Sequence, residues 1–271
     1  MLFLLTGCAT LLNASIPRDG YSVMRDVAYG THERQRMDFY IPDNLKSPAP
    51  VIVFFYGGSW KMGAKADYRF LGQAFASKGF ITAVVDYRLY PEVYFPTFME
   101  DSANAFVHIH TSIADHGGDP KRMFVAGHSA GAYNAMMLAA NPEYIIKAGG
   151  KPSWIRGAIG VAGPYDFLPL TDPDLINVFS KRPAAQTQPI NFVTQDMPPV
   201  FLATGAADVT VIPRNSERLA AKLETLGQMA TLHRYPDIGH IDIILSLAHG
   251  FREKSPLLND IEAFIKKNST K

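Results

Sequence analysis

Five continuous apolar runs, rich in β-branched and aromatic residues, recur along the chain: Val51–Phe55, Phe80–Val85, Met123–Ala126, Ile155–Val161 and Val200–Ala203. A strand with one wet face alternates apolar and polar residues, so unbroken runs call for cover on both faces, as in a parallel sheet between helix layers. Helical patterns fill the gaps, at Tyr68–Lys78, Glu100–Ala114, Ala130–Ala140 and Asn215–Leu226. Only Tyr21–Tyr29 and Arg36–Ile41 alternate, as the half-buried strands of an antiparallel hairpin joined near Gly30. The expected fold class is α/β: a doubly wound, mostly parallel sheet with an antiparallel N-terminal hairpin. A chain of 271 residues is within reach of a single core. No repeat, low-complexity tract or linker divides residues 19–271, which we read as one domain. The stretch Pro164–Pro199, rich in Pro, Asp and Thr, is too short for a domain and too long for an idle loop, so we expect a small lid or pocket wall there.

Composition narrows the function. With 26 basic against 25 acidic side chains the net charge is +1, and no run of Lys and Arg supplies a local field, so nucleic-acid partners are not expected. A single cysteine excludes an intrachain disulfide, a thiolate zinc cluster and a CxxC redox pair. No apolar run approaches the ~20 residues that span a bilayer.

The chemistry starts at Gly127-His128-Ser129-Ala130-Gly131, a G-x-S-x-G pattern placed directly after one apolar run and directly before a helical one. A nucleophile on a sharp strand-to-helix turn has strained backbone angles, and its flanks must be small to clear neighbouring elements. The helix behind it favours the negative charge that develops in acyl transfer. Upstream, Tyr56-Gly57-Gly58-Ser59-Trp60 follows the Val51–Phe55 run, and its glycines let backbone N–H groups approach a substrate carbonyl.

These motifs resemble those of α/β-hydrolase carboxylesterases, a group that includes relatives of hormone-sensitive lipase and of kynurenine formamidase. The loop is similar to their His-Gly-Gly-x-Trp motif, with Tyr56 where His is usual, and Asp86-Tyr87-Arg88-Leu89-Tyr90-Pro91-Glu92 is similar to their Tyr-Arg-Leu-x-Pro-Glu stretch. The resemblance runs from about Arg36 to the C-terminal helix. It implies oxyanion donors at the backbone N–H groups of Gly58 and Ala130, with Ser59 as a further candidate, and a structural ion pair between Arg88 and Asp101. The usual His is thought to brace the loop, so Tyr56 puts loop geometry in question.

In this fold the triad follows the chain order Ser, then acid, then His. Asp208 lies just past the Val200–Ala203 run, at the family's Gly-x-x-Asp position, and is the expected acid; Asp86, Asp101, Asp166 and Asp237 are the contenders. Of eight histidines, only His240 falls in a loop after the last apparent strand, with Gly239 giving it room to turn inward. His32, His108, His110, His116 and His128 come before the nucleophile or beside it, His233 lies within that strand, and His249 ends a late helical stretch.

The expected activity is that of a serine esterase: Ser129 attacks, His240 takes its proton, and Asp208 orients the imidazole. No metal or organic cofactor is implied, and the partner is a small-molecule ester. The lid residues Tyr165, Phe167, Leu168, Leu170, Ile176, Val178 and Phe179 offer apolar surface for one small acyl pocket, so short acyl chains are expected. The rival readings are an amide or formamide hydrolase and a catalytically dead hydrolase scaffold used for binding.

The N-terminus reads Leu5-Thr6-Gly7-Cys8, which resembles the bacterial lipobox and places the lone cysteine where lipidation would occur. The apolar stretch before it is short and lacks Lys or Arg, features that a start upstream of Met1 would supply. Residues 1–18 are therefore read as a leader and tether. The expectation is an exported enzyme, lipid-anchored at Cys8 on the periplasmic face of a bacterial membrane, or a cytoplasmic one if the leader does not function.

Overall fold

A computed structural model describes residues 13, 15–45, 47–228 and 230–269. The leader reading and Cys8 lie outside the described residues.

The apolar runs form the central strands, as β-branched and aromatic side chains covered on both faces should. After the hairpin of β1 (Tyr21–Ala28) and β2 (Arg36–Pro42) come β3 (Ala49–Phe55), β4 (Ile81–Val85), β5 (Gly118–His128), β6 (Ile155–Val161), β7 (Val200–Gly205) and β8 (Thr231–Tyr235). They make one sheet in the order β1-β2-β4-β3-β5-β6-β7-β8. β1 and β2 run antiparallel, β2 pairs antiparallel with β4, and every later pairing is parallel. This is the doubly wound layout with its antiparallel start that the runs predict.

The principal helices are α1 (Arg69–Ala76), α2 (Thr97–Ser112), α3 (Ala130–Ala140), α4 (Glu143–Lys147), α5 (Pro173–Phe179), α6 (Arg214–Thr225), α7 (His240–Leu245) and α8 (Leu257–Ser269). α1 and α8 share one side of the sheet, where Lys78 pairs with Glu262 at 2.6 Å and Arg252 Nη2 donates to Gln73 at 2.8 Å. With right-handed crossovers, the reversal of direction after β4 sends α2 and α3 to the other side. The central strands are buried almost without break, and β4 and β7 are buried at every position.

Two elements depart from their sequence signals. β5 starts at Gly118, five residues before the apolar run, because Ala49 pairs with Gly118 at the foot of β3 and carries the polar stretch Asp119–Arg122 into the strand. α2 starts at Thr97 rather than Glu100, since Phe98 and Met99 turn into the core directly after Pro96.

The stretch Pro164–Pro199 holds α5 and two short 3-10 turns, Ala184–Thr187 and Pro189–Asn191. α5 begins where Asp172 caps the N–H groups of Asp174 and Leu175 and Pro173 takes the first helical position. Two hydrogen bonds to its backbone carbonyls tie this segment down, from Phe95 N–H to Val178 at 2.9 Å and from the Tyr133 hydroxyl to Thr187 at 2.8 Å. Its apolar residues divide. Tyr165 and Val178 belong to the buried core rather than to a pocket wall, while Leu168, Leu170, Ile176 and Phe179 line a groove of about 590 Å³.

Candidate active site

Ligand sites of parallel sheets form at the carboxyl ends of the strands, and three strands deliver the candidate residues there. β5 ends at His128, and the chain turns through Ser129 into α3 with φ +54° and ψ −123°. The glycines on either side are obligatory. A Cβ on Gly131 would lie 1.9 Å from the Phe55 carbonyl oxygen, and one on Gly127 would lie 2.2 Å from the backbone of Gly131. The Ser129 N–H is bonded to the Val161 carbonyl at 2.9 Å, which pins the turn to β6.

The acid loop follows β7. Asp208 Oδ1 accepts the N–H groups of Thr210 and Val211, both at 2.9 Å, which leaves Oδ2 aimed at His240 Nδ1, 2.7 Å away. The base loop follows β8 and is laced to the acid loop by two backbone bonds, Ala206 N–H to Tyr235 and Ala207 N–H to Ile238, at 2.8 and 3.0 Å. His240 opens α7, and its Nε2 lies 2.9 Å from Ser129 Oγ.

The carboxylate can only accept, so His240 Nδ1 carries the proton and bare Nε2 accepts from the serine hydroxyl. The Asp208 side chain is fully buried and that of His240 is 10% exposed. Burial alone would raise the carboxyl of Asp208. The hydrogen bond and charge of His240, with the Val211 and Thr210 N–H groups, outweigh it and hold Asp208 below the usual carboxylate range.

The contending acids are engaged elsewhere or face away. Asp86 accepts from Tyr56 and from the Lys65 N–H, Asp166 pairs with Arg218, and Asp237 occupies a left-handed turn. Asp101 takes a bidentate guanidinium from Arg88 at 2.7 and 2.9 Å, the ion pair that the family resemblance implies. Among the other histidines, His32 meets Glu92, His110 stacks on Trp154 and His233 faces Asp260.

The glycine-rich loop after β3 packs against the elbow, so closely that a Cβ on Gly57 would lie 2.9 Å from that of Ser129. Gly58 adopts φ +128°, and a side chain there would collide with the Met62 carbonyl at 2.2 Å. Its own carbonyl accepts from the Lys61 and Met62 N–H groups, while Ser59 and Trp60 follow at φ +53° and +58°. Among the described residues, no acceptor within the chain takes the N–H groups of Gly58 and Ser59. The Ala130 N–H heads α3, where a helix leaves such donors unpaired. The Trp60 indole donates to Asn134 at 2.9 Å and packs on Phe179 and Tyr133.

Tyr56 keeps the loop braced despite replacing the family's histidine. Its hydroxyl donates to Asp86 Oδ1 and accepts from Arg34, both at 2.7 Å, and its ring stacks on Tyr87 and Tyr68. Burial pushes the Asp86 carboxyl above the usual range in spite of these partners. Arg34 has no motif to announce it, and sequence reasoning missed it.

A doubly wound sheet with a serine elbow, an acid after β7 and a histidine after β8 defines an α/β-hydrolase. The BD-FAE family pattern matches residues 37–223, more than half of the chain, and the chain belongs to that family. A probable isoprenylcysteine alpha-carbonyl methylesterase from Arabidopsis thaliana is 30% identical over 275 residues, covering 90% of this chain. The chain spans only 57% of that plant protein's length. A kynurenine formamidase from Salmo salar is 25% identical over 248 residues, with 86% of this chain and 80% of that protein covered. Among solved structures, a thermophilic carboxylesterase from a metagenomic library superposes with a TM-score of 0.79 at 19% identity, covering 97% of this chain and 95% of that one; it shares the fold.

Proposed function

We propose that the protein is a serine carboxylesterase that cleaves short-chain carboxylic esters through an acyl-enzyme. The observation that carries the reading is the continuous hydrogen-bonded line from Ser129 Oγ through His240 to buried Asp208, at 2.9 and 2.7 Å. Ser129 Oγ attacks the ester carbonyl as His240 Nε2 takes its proton. Asp208 holds the imidazole tautomer and stabilises the imidazolium that forms. The N–H groups of Gly58, Ser59 and Ala130 stabilise the oxyanion, each worth on the order of 10²–10³ in rate. The imidazolium then protonates the departing alcohol, and a water activated by the same histidine releases the acid.

Support for an ester substrate comes from the methylesterase among the relatives. The formamidase similarity favours a second reading, hydrolysis of a small amide or formamide by the same residues. The aromatic cluster of Trp60, Phe167 and Phe179, packed at the glycine-rich loop, supports a short acyl group over a long one. The lipobox-like Leu5–Cys8 supports a lipid anchor as the protein's hold on a membrane.

The deciding experiment pairs a fluorophosphonate probe with a panel of p-nitrophenyl esters and a formamide. The wild type should be labelled and should favour acetyl and butyryl esters over longer ones. Ser129→Ala should lose labelling and about 10⁴-fold or more of turnover. An unlabelled wild type would mean a dead scaffold, faster cleavage of the formamide would favour the second reading, and a preference for long-chain triglyceride emulsions would contradict the short-acyl assignment.

A further inference from the structure

The mechanism leaves one buried titratable group beside the reacting atoms unused. His128 fills the variable position of the elbow pentapeptide and is 3% exposed. Its ring centroid lies 4.8 Å from that of His240, and its Nε2 lies 2.9 Å from the His240 backbone carbonyl. A carbonyl only accepts, so Nε2 carries the proton and donates. The other nitrogen, Nδ1, is then a bare acceptor, and among the described residues it has no hydrogen-bond partner. It faces the glycine-rich loop, where a Cβ on Gly57 would come within 3.2 Å of it. His128 thus adjoins the nucleophile in sequence, the base through a hydrogen bond and the oxyanion loop through packing.

The base needs such a hold. β8 is three strand positions from β5, roughly 14 Å at the usual spacing, so the loop carrying His240 must reach back across β7 and β6. α7 is only six residues long and begins without a side-chain cap. The His240 side chain reaches Asp208 and Ser129, but among the described residues the bond from His128 is the one that joins the His240 backbone to the elbow.

We propose that His128 is a positioning residue: its Nε2–H holds the His240 carbonyl and thereby sets the distance between the catalytic imidazole and Ser129 Oγ. Burial, with His240 close by, pulls the basicity of His128 down to about 3, so it stays neutral. A neutral neighbour does not oppose the positive charge that His240 takes up during acylation, whereas a cation in its place would. The inference rests on the esterase reading, because it concerns the geometry of that reaction.

Three variants of the full chain test it, with ester kinetics and the rate of fluorophosphonate labelling as readouts. His128→Leu keeps the bulk and removes the donor, and it should lower kcat by about 10- to 100-fold, the range expected for a base displaced by an ångström or less. KM should stay within about twofold and labelling should slow in parallel with kcat, since substrate binding does not involve this bond. His128→Gln restores an N–H of similar reach and should recover most of the loss. His128→Asn keeps the amide but falls short of the carbonyl, and it stands in for the leucine variant if that one does not fold. Wild-type kcat in the leucine or asparagine variant overturns the proposal, as does a glutamine variant as impaired as they are. A wild type that takes up no fluorophosphonate overturns the esterase reading and this inference with it, whereas a labelled, active wild type with unaffected variants overturns the inference alone.

Discussion

A serine at φ +54° sits where side chains are strained, at a cost of about 1–3 kcal/mol, and the surrounding bonds must over-determine it. The same local control operates at Asp208, whose two backbone N–H bonds leave a single oxygen for the histidine. An amide there could present its NH₂ to the imidazole and favour the wrong tautomer, so Asp208→Asn should lose roughly 10⁴-fold in kcat with the fold retained. The substitution also has a signature in stability. A carboxyl held below its ordinary value of 3.8 contributes stability that is complete above that value and is lost as pH falls through the lower folded one. Denaturant midpoints of the wild type should therefore fall more steeply below about pH 4 than those of Asp208→Asn. Equal acid sensitivity in the two would refute the linkage. That Ser129, His240 and Asp208 would meet could be read from the sequence, because chain order and strand ends restrict each proposed role to one or two positions. The brace on Tyr56 could not: its partners Arg34 and Asp86 are 22 and 30 residues away, and neither distance belongs to a local pattern.

Strands buried on both faces announce themselves, and β3, β4, β6 and β7 lie within a residue or two of their apolar runs. Where burial is one-sided or absent the signal fades. β8 is an edge strand exposed at most of its positions, and the first half of β5 is polar, paired at Gly118 before its register shifts and resumes at Met123. α4 has five residues, too few for a helical period to show. The elbow is the opposite case, an element whose sequence is dictated by clashes. Gly131→Ala should destabilise the protein by about 3 kcal/mol, because the new methyl group meets backbone that cannot move aside. Gly149→Ala is the control: at φ +85° with open space around it, only the backbone conformation opposes a side chain, and about 1 kcal/mol should be lost. Urea unfolding of the pair would separate the two costs, and equal losses would mean that the elbow relaxes around a methyl group.

Across the whole molecule, the proposed catalytic residues gather at the carboxyl ends of the strands while β1, the first described strand, lies at the far edge of the sheet from β8. Anchoring and chemistry should therefore separate. If the lipid anchor that we propose is attached at Cys8, Cys8→Ser should move from the membrane fraction to the soluble one and keep the wild type's ester turnover; a wild type already soluble and unlipidated would count against the anchor. Among the described residues no helix is long and apolar enough to cross a membrane. The strand order has one more consequence, for the time at which activity arises. The proposed nucleophile follows the central strand β5, but its proposed base follows edge strand β8 and is 111 residues further along the chain. β7, which supports the acid loop, is covered by α8, where Phe264 packs on Phe201. A chain emerging from the ribosome thus displays a serine elbow long before it can deprotonate it. Until the closing helix is made, the proposed nucleophile has no base beside it, and a product truncated ahead of His240 would lack both that base and the helix that covers β7.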